Sequence, residues 1–222
     1  MRTLVIAPHP DDELLGCGGT LLRRCAEGGT VGWLLMTSIT EAGGWSPERI
    51  SQRAIEIERV REGLSISPEH LYQLGFTTTE LDQIPMNSLV SSLSDIFKEF
   101  QPEEVFLPHP GDVHSDHRIT FEAACACTKW FRYPSVKRVL TYETLSETDV
   151  GLDQSRNFNP TLFVDICSHL ERKIELIRIY ESEIGVFPFP RSEIAIEALA
   201  RFRGAQAGFM AAEAFVVLKE RF

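Results

Sequence analysis

Short apolar, β-branched runs alternate with longer amphipathic stretches along this chain, and that alternation constrains its fold more than any other feature. Leu4–Ala7 reads as a strand, followed by a helix from about Asp12 to Glu27 that Gly28-Gly29 ends. Val31–Met36 is a second strand, TSITEAGG a loop, and Ser46-Pro47 the N-cap and first-turn proline of a helix reaching about Leu64. HLYQLG is a short strand, and Asn87–Phe100 is a helix with Leu89, Leu93, Ile96 and Phe97 at helical spacing. EVFLP is the next strand and SDHRITFEAACACTKWF the helix after it. Arg138–Tyr142 and Leu162–Ile166 are further strands, Ser168–Tyr180 is a helix, and Ser192 caps a last helix of roughly 15 residues. Such alternation builds a parallel sheet covered on both faces through right-handed crossovers. The expected fold is α/β, a Rossmann-like three-layer sandwich with a mostly parallel central sheet. Its 222 residues suit a single domain over 1–222, with a less regular C-terminal part from about residue 150.

The formal charge of −10 argues against nucleic acid or an anionic membrane as partner, since both select a basic face. No stretch approaches the roughly 20 apolar residues of a membrane span. The chain opens directly on a strand, which leaves no room for a signal peptide. Five cysteines without framework spacing read as reduced core or near-core residues, and the simplest compartment is the cytoplasm. A homo-oligomer is left open.

The chemistry concentrates where two strands hand over to helices. After Leu4-Val5-Ile6 comes APHPDDELLG, with Asp11, Asp12 and Glu13 in succession. Three adjacent carboxylates repel one another and are costly to take out of water, so a local positive charge must offset them. The second cluster, HPGDVHSDHRIT, follows EVFLP and holds three histidines and two aspartates within nine residues. Ligands of doubly wound sheets bind at the C-terminal ends of the strands, at the switch point. If the first and fourth strands are neighbours there, His9, Asp11 and Asp12 face His114, Asp116 and His117 across one crevice. Two histidines and one carboxylate with a position left for water fit a catalytic zinc site. His9 and Asp12, with two residues between them, can close on one ion, and His117 completes the set. Asp11 then remains as the base that takes a proton from water, and His114, held by Asp116, protonates a leaving amine or donates to an oxyanion. His109 reads as a strand-end residue, and the roles of His109 and Asp112 are left open.

With these residues in place, the chain resembles the PIG-L/LmbE family of zinc-dependent N-acetylglucosaminyl deacetylases. Its opening signature appears as APHPDDE with one proline inserted after Ala7, and its second as HSDH at 114–117. RAIEIERVREGLSI, FNPTLFVDI, KIELIRIYES and AEAF resemble later segments. The resemblance implies His9, Asp12 and His117 as metal ligands, Asp11 as general base, His114 as the oxyanion-side or acid histidine and Asp116 as its partner. It implies Arg53 near the substrate or ordering the site. Two positions depart from the family pattern: Glu183 stands where glutamine is usual, and Ser65 where glycine is usual.

The implied activity is metal-dependent removal of an N-acetyl group from an N-acetylglucosamine-type sugar or conjugate, with Zn2+ as cofactor and another divalent metal such as Fe2+ as the alternative. Other readings use the same triad for iron oxygen chemistry, or make the chain a Rossmann-like ligand-binding module with a structural metal. GCGG at 16–19 invites the latter, but these glycines lie inside the helix, where they suit close helix–sheet packing. Trp45, Phe187 and Phe189 offer aromatic surface for a sugar face, and Arg49, Arg53 or Arg191 a counter-charge for an anionic aglycone.

Overall fold

Every strand read from the sequence is present in a computed structural model, which describes residues 1–222, and one more is added. The strands are β1 (Arg2–Ala7), β2 (Thr30–Ser38), β3 (Leu71–Thr77), β4 (Glu104–Pro108), β5 (Arg138–Tyr142), β6 (Leu162–Asp165) and β7 (Ala212–Glu220). They form one sheet in the order β3-β2-β1-β4-β5-β7-β6. The pairings from β3 through β5 are parallel, and β7 runs antiparallel to both β5 and β6. Six helices, α1 (Asp12–Ala26), α2 (Pro47–Gly63), α3 (Met86–Phe100), α4 (Ser115–Ala126), α5 (Leu170–Ile177) and α6 (Glu193–Ala207), cover it. The result is the expected mostly parallel three-layer α/β sandwich.

The pleat divides the central strands between two cores, because successive side chains point to opposite faces. Leu4 and Ile6 of β1 join Val105 and Leu107 of β4 under α3 and α4, which contribute Leu93, Phe97 and Ala123. Val5, Ala7 and Phe106 point the other way and meet α1, α2, α5 and α6 through Leu14, Val60, Leu176 and Ile196. Strands buried on both faces need near-continuous apolar sequence, which is why LVIA and VFL are so legible. Ser46 and Ser192 cap α2 and α6 by accepting the N–H of Arg49 and of Ala195, each at 3.2 Å. Ser65, after α2, adopts φ 60°, a conformation that costs a residue with a Cβ about 1 kcal/mol more than glycine.

The glycines of GCGG serve packing. A Cβ at Gly16 would collide with the Tyr142 ring, and one at Gly19 with the Ile166 side chain. α1 also kinks at Cys17, whose φ of −148° breaks the helical run. Around the kink, backbone groups of α1 meet side-chain partners. Glu213 accepts from Gly19 and Thr20 N–H at 2.9 and 2.7 Å, and Lys173 Nζ donates to Leu15 O at 3.0 Å and to Glu213 at 2.7 Å. Lys173 and Glu213 are both buried, so removing one strands the other's charge away from water. Lys173→Met is expected to lower stability by about 3–5 kcal/mol in chemical denaturation. A loss below about 1 kcal/mol would mean that water enters and solvates Glu213.

Three expectations need correction. β7 is absent from the sequence reading because its opening, Ala212-Glu213-Ala214, lacks β-branched residues and carries the charge that mends α1. α4 stops at Ala126, short of Phe131: Cys127 N–H turns back to Ala124 O, and the Thr128 hydroxyl takes the Cys125 carbonyl at 2.9 Å. Trp130 and Phe131 are consequently exposed. Cys167 is exposed as well, unlike the core residue expected, although all five cysteines are free.

Candidate metal centre and active-site cleft

The parallel pairing of β1 with β4 brings the two βα turns together at one edge of the sheet. The chain leaves β1 toward β2 on one side and returns through β4 on the other, so a crevice opens between the turns. In the first turn Asp11 takes φ 138°, rare for any residue with a Cβ, while its carbonyl accepts the Leu14 and Leu15 N–H groups at 2.9 Å. Such strain persists only where the surroundings enforce it. Here the Asp11 N–H is held by Glu13 at 3.1 Å, and the His9 N–H by Asp12 Oδ2 at 2.9 Å.

The three consecutive acids therefore have three destinations. Glu13 turns back into the core, where Tyr180 OH donates to it at 3.2 Å, and burial pushes its pKa well above the usual carboxylate range. Asp12 turns toward the histidines. Asp11 faces the cleft.

His9 Nδ1 and His117 Nε2 lie 3.4 and 3.3 Å from Asp12 Oδ2. Bonds of about 2.1 Å in tetrahedral array separate neighbouring donor atoms by about 3.4 Å, so both imidazole nitrogens stand at ligand spacing from the carboxylate, and all three donor atoms lie within 4.8 Å of one another. The opposite ring nitrogens are anchored. His9 Nε2 meets Asp116 Oδ2 at 3.0 Å, and His117 Nδ1 meets Asp112 Oδ2 at 2.8 Å. A neutral imidazole donating to these carboxylates directs its other nitrogen, a bare lone pair, at the shared point. Without a cation the carboxylates hold protons on both rings. Burial lowers the His9 pKa, but Asp116 and Asp12 outweigh it and raise it to about 9. His117 is raised too, against burial, by Asp12 and Asp112. Burial would raise Asp12, yet His117 and His9 depress it. A divalent cation replaces those protons with a single charge at their centre, so the donor set fits a metal.

The Asp116 carboxylate is thus fixed on His9, not on His114; it also accepts from the N–H groups of Thr79 and Leu81 at 2.7 and 3.2 Å. His114 is held differently, its Nδ1 accepting the Asp116 backbone N–H at 3.1 Å. A neutral ring in that state carries its hydrogen on Nε2. Burial and the charges of His9 and His117 lower its pKa to about 4.

His9, Asp11, Asp12, His114 and His117 line a cleft of about 290 Å³ whose wall includes Trp45, Arg53, Glu147, Glu183 and Arg191. Asp11 Oδ2 accepts from Arg191 Nη1 at 3.1 Å. Burial and the charge of Asp12 raise the Asp11 pKa to about 7 despite that guanidinium. Arg53 Nη1 donates to Pro10 O at 2.9 Å and so braces the strained turn, while its other nitrogens face Glu56 and Glu183. Arg49 sits on Glu56 at 3.0 Å and does not reach the cleft. Phe187, Phe189 and His109 lie outside the lining. His109 Nε2 bonds the Arg156 carbonyl at 2.7 Å.

Sequence reading missed the contact of Arg191 with Asp11, 180 residues away, and gave Glu147 no role. Nothing local signals either. Asp112 was legible in principle, since it precedes His117 by five residues on one turn. Asp112→Asn is expected to weaken metal binding about 10- to 100-fold, read by competition with a chromogenic chelator. Unchanged affinity would leave His117 oriented by packing alone.

Comparison with known proteins bears on what this cleft belongs to. The sequence profile of a family described as PIG-L: GlcNAc-PI de-N-acetylase matches residues 4–128. The chain is 26% identical over 226 residues to the diacetylchitobiose deacetylase of Thermococcus kodakarensis, covering 96% of this chain and 81% of that one. It is 25% identical over 233 residues to the 1D-myo-inositol 2-acetamido-2-deoxy-alpha-D-glucopyranoside deacetylase of Saccharomonospora viridis, covering 83% of this chain and 86% of that one. The crystal structure of the conserved protein TT1542 from Thermus thermophilus matches with a TM-score of 0.78 at 28% identity, over 99% of this chain and 96% of that one. Both turns that build the metal cleft fall within the matched residues, and the chain belongs to the PIG-L, GlcNAc-PI de-N-acetylase, family.

Proposed function

We propose that the protein is a metal-dependent hydrolase that removes the N-acetyl group from an N-acetylglucosamine-type sugar or conjugate, with zinc as its metal. The observation that carries this reading is the convergence of His9 Nδ1, Asp12 Oδ2 and His117 Nε2 beside a buried carboxylate, Asp11, that none of them uses. A divalent ion held by the trio supplies Lewis acidity, polarising an amide carbonyl and lowering the pKa of water toward about 7.

The chain's own groups do the rest. Asp11, fixed by Arg191 and by its strained backbone, accepts a proton from the attacking water. His114, with Nδ1 occupied, donates Nε2–H to the carbonyl oxygen as negative charge grows there. The geometry supports hydrogen-bond donation over acid catalysis for this residue, because the Nδ1 lone pair is engaged. The proton on Asp11 is then available to the departing nitrogen, so the C–N bond breaks to give acetate and an amine. Asp116 and Asp112 hold His9 and His117 in register, and Arg53 holds Pro10. Iron oxygen chemistry would leave Asp11 without a role, and a structural zinc site would be closed by a fourth protein ligand.

No helix is long and apolar enough to cross a membrane. Five free cysteines support a reducing compartment, the cytoplasm. We read residues 1–222 as one domain, since β6 and β7 extend the same sheet as β1–β5.

The test is amine release by zinc-loaded protein across N-acetylated sugars and their conjugates. Release from at least one glucosamine-type member is expected. No release across the panel, together with turnover of an ester or an oxygen-dependent reaction, would overturn the deacetylase reading.

A further inference from the structure

We infer that Glu183 makes this cleft select an uncharged amino-sugar conjugate over an anionic one, by neutralising both arginines that face the substrate. The inference rests on the deacetylase reading and names the substrate class of that same site. Arginines in a sugar-sized cleft ordinarily suggest a carboxylate or phosphate, which guanidinium recognises through two parallel N–H donors. Here both guanidiniums already face protein carboxylates, Arg53 through a hydrogen bond and Arg191 through one hydrogen bond and an ion pair. Glu183 contacts Arg53 closely and lies 3.6 Å from Arg191 Nη2. Arg53 Nη1 is on the Pro10 carbonyl at 2.9 Å, and Arg191 Nη1 is on Asp11 at 3.1 Å. The Nε atoms of both are buried without a hydrogen-bond partner, out of reach of a ligand.

The charge balance points the same way. Asp11, Asp12, Glu147 and Glu183 line the cleft against two guanidiniums, a surplus that one divalent cation balances. An anionic aglycone would add negative charge beside Glu147 and Glu183, where each guanidinium is already paired with a carboxylate. Removing the charge of Glu183 while keeping its shape would release Arg53 and Arg191 toward an incoming anion.

A purely structural role for Glu183, as a clamp on Arg53, would change the rate on every substrate alike. The experiment therefore compares two substrates, methyl N-acetylglucosaminide and N-acetylglucosamine 1-phosphate, on zinc-loaded wild type and Glu183→Gln. Wild type is expected to favour the uncharged glycoside by tenfold or more in kcat/KM. Glu183→Gln should shrink that preference at least tenfold, through a lower KM for the phosphate, and less so at high salt. Wild-type preference for the phosphate, or an unchanged ratio in Glu183→Gln, would overturn the inference. If neither substrate is turned over, the deacetylase reading is decided separately by the wider panel of N-acetylated sugars. Calorimetric binding of glucosamine and glucosamine 1-phosphate to the same two proteins then decides the selectivity by the same two ratios.

Discussion

Asp11→Asn should lower turnover by about two orders of magnitude or more while the protein keeps its metal. Asparagine preserves the volume of the side chain and an oxygen for Arg191, which lies 3.1 Å from the carboxylate. It also tolerates a positive φ better than most residues, so the strained turn at φ 138° survives the change. What it loses is the ability to accept a proton. Asp11 is outside the converging trio, so the ligands keep their anchors on Asp116 and Asp112. Metal analysis and steady-state kinetics on one preparation check both halves. Turnover within a few-fold of wild type would remove Asp11 as the base; loss of metal would make it part of the ion's environment.

Asp12→Ala and His117→Ala are expected to bring activity to background by the opposite route, through loss of the ion itself. Asp12 Oδ2 is the atom both imidazoles face, at 3.4 and 3.3 Å, and it supplies the only negative charge among the three donors. Without it two neutral rings remain, too few donors for a stable catalytic site. His117→Ala also strands Asp112, buried and bonded to Thr148 Oγ1 at 2.6 Å, so a stability loss accompanies loss of the metal. Elemental analysis after gel filtration separates these variants from Asp11→Asn. Full metal occupancy in Asp12→Ala would contradict the ligand assignment.

The sheet's parallel half and the two βα turns were legible because each rests on local pattern. Fully buried strands such as Leu4–Ala7 must be apolar throughout, and His-x-x-Asp can meet on one ion across a single turn. Neighbouring β1 and β4 followed from the commonest order of doubly wound sheets. What escaped depends on distant partners. Glu213 gives no hint that it mends a kink in α1, and its charge hides the strand that carries it. Asp116 looks like a partner for His114 two residues earlier, yet its carboxylate reaches His9 from the other turn. Arg191 read as a contact for an anionic aglycone, but the fold commits it to Asp11 and Glu183. In each case a buried charge takes the partner that folding brings to it, and sequence proximity does not identify that partner.

The most direct test of a metal-dependent deacetylase is amine release from an N-acetylglucosaminide before chelation, after chelation, and after return of one equivalent of zinc. The arrangement of His9, Asp12 and His117 predicts activity that disappears with the metal and returns with its stoichiometric replacement. Undiminished amine release by protein shown to be metal-free would contradict it.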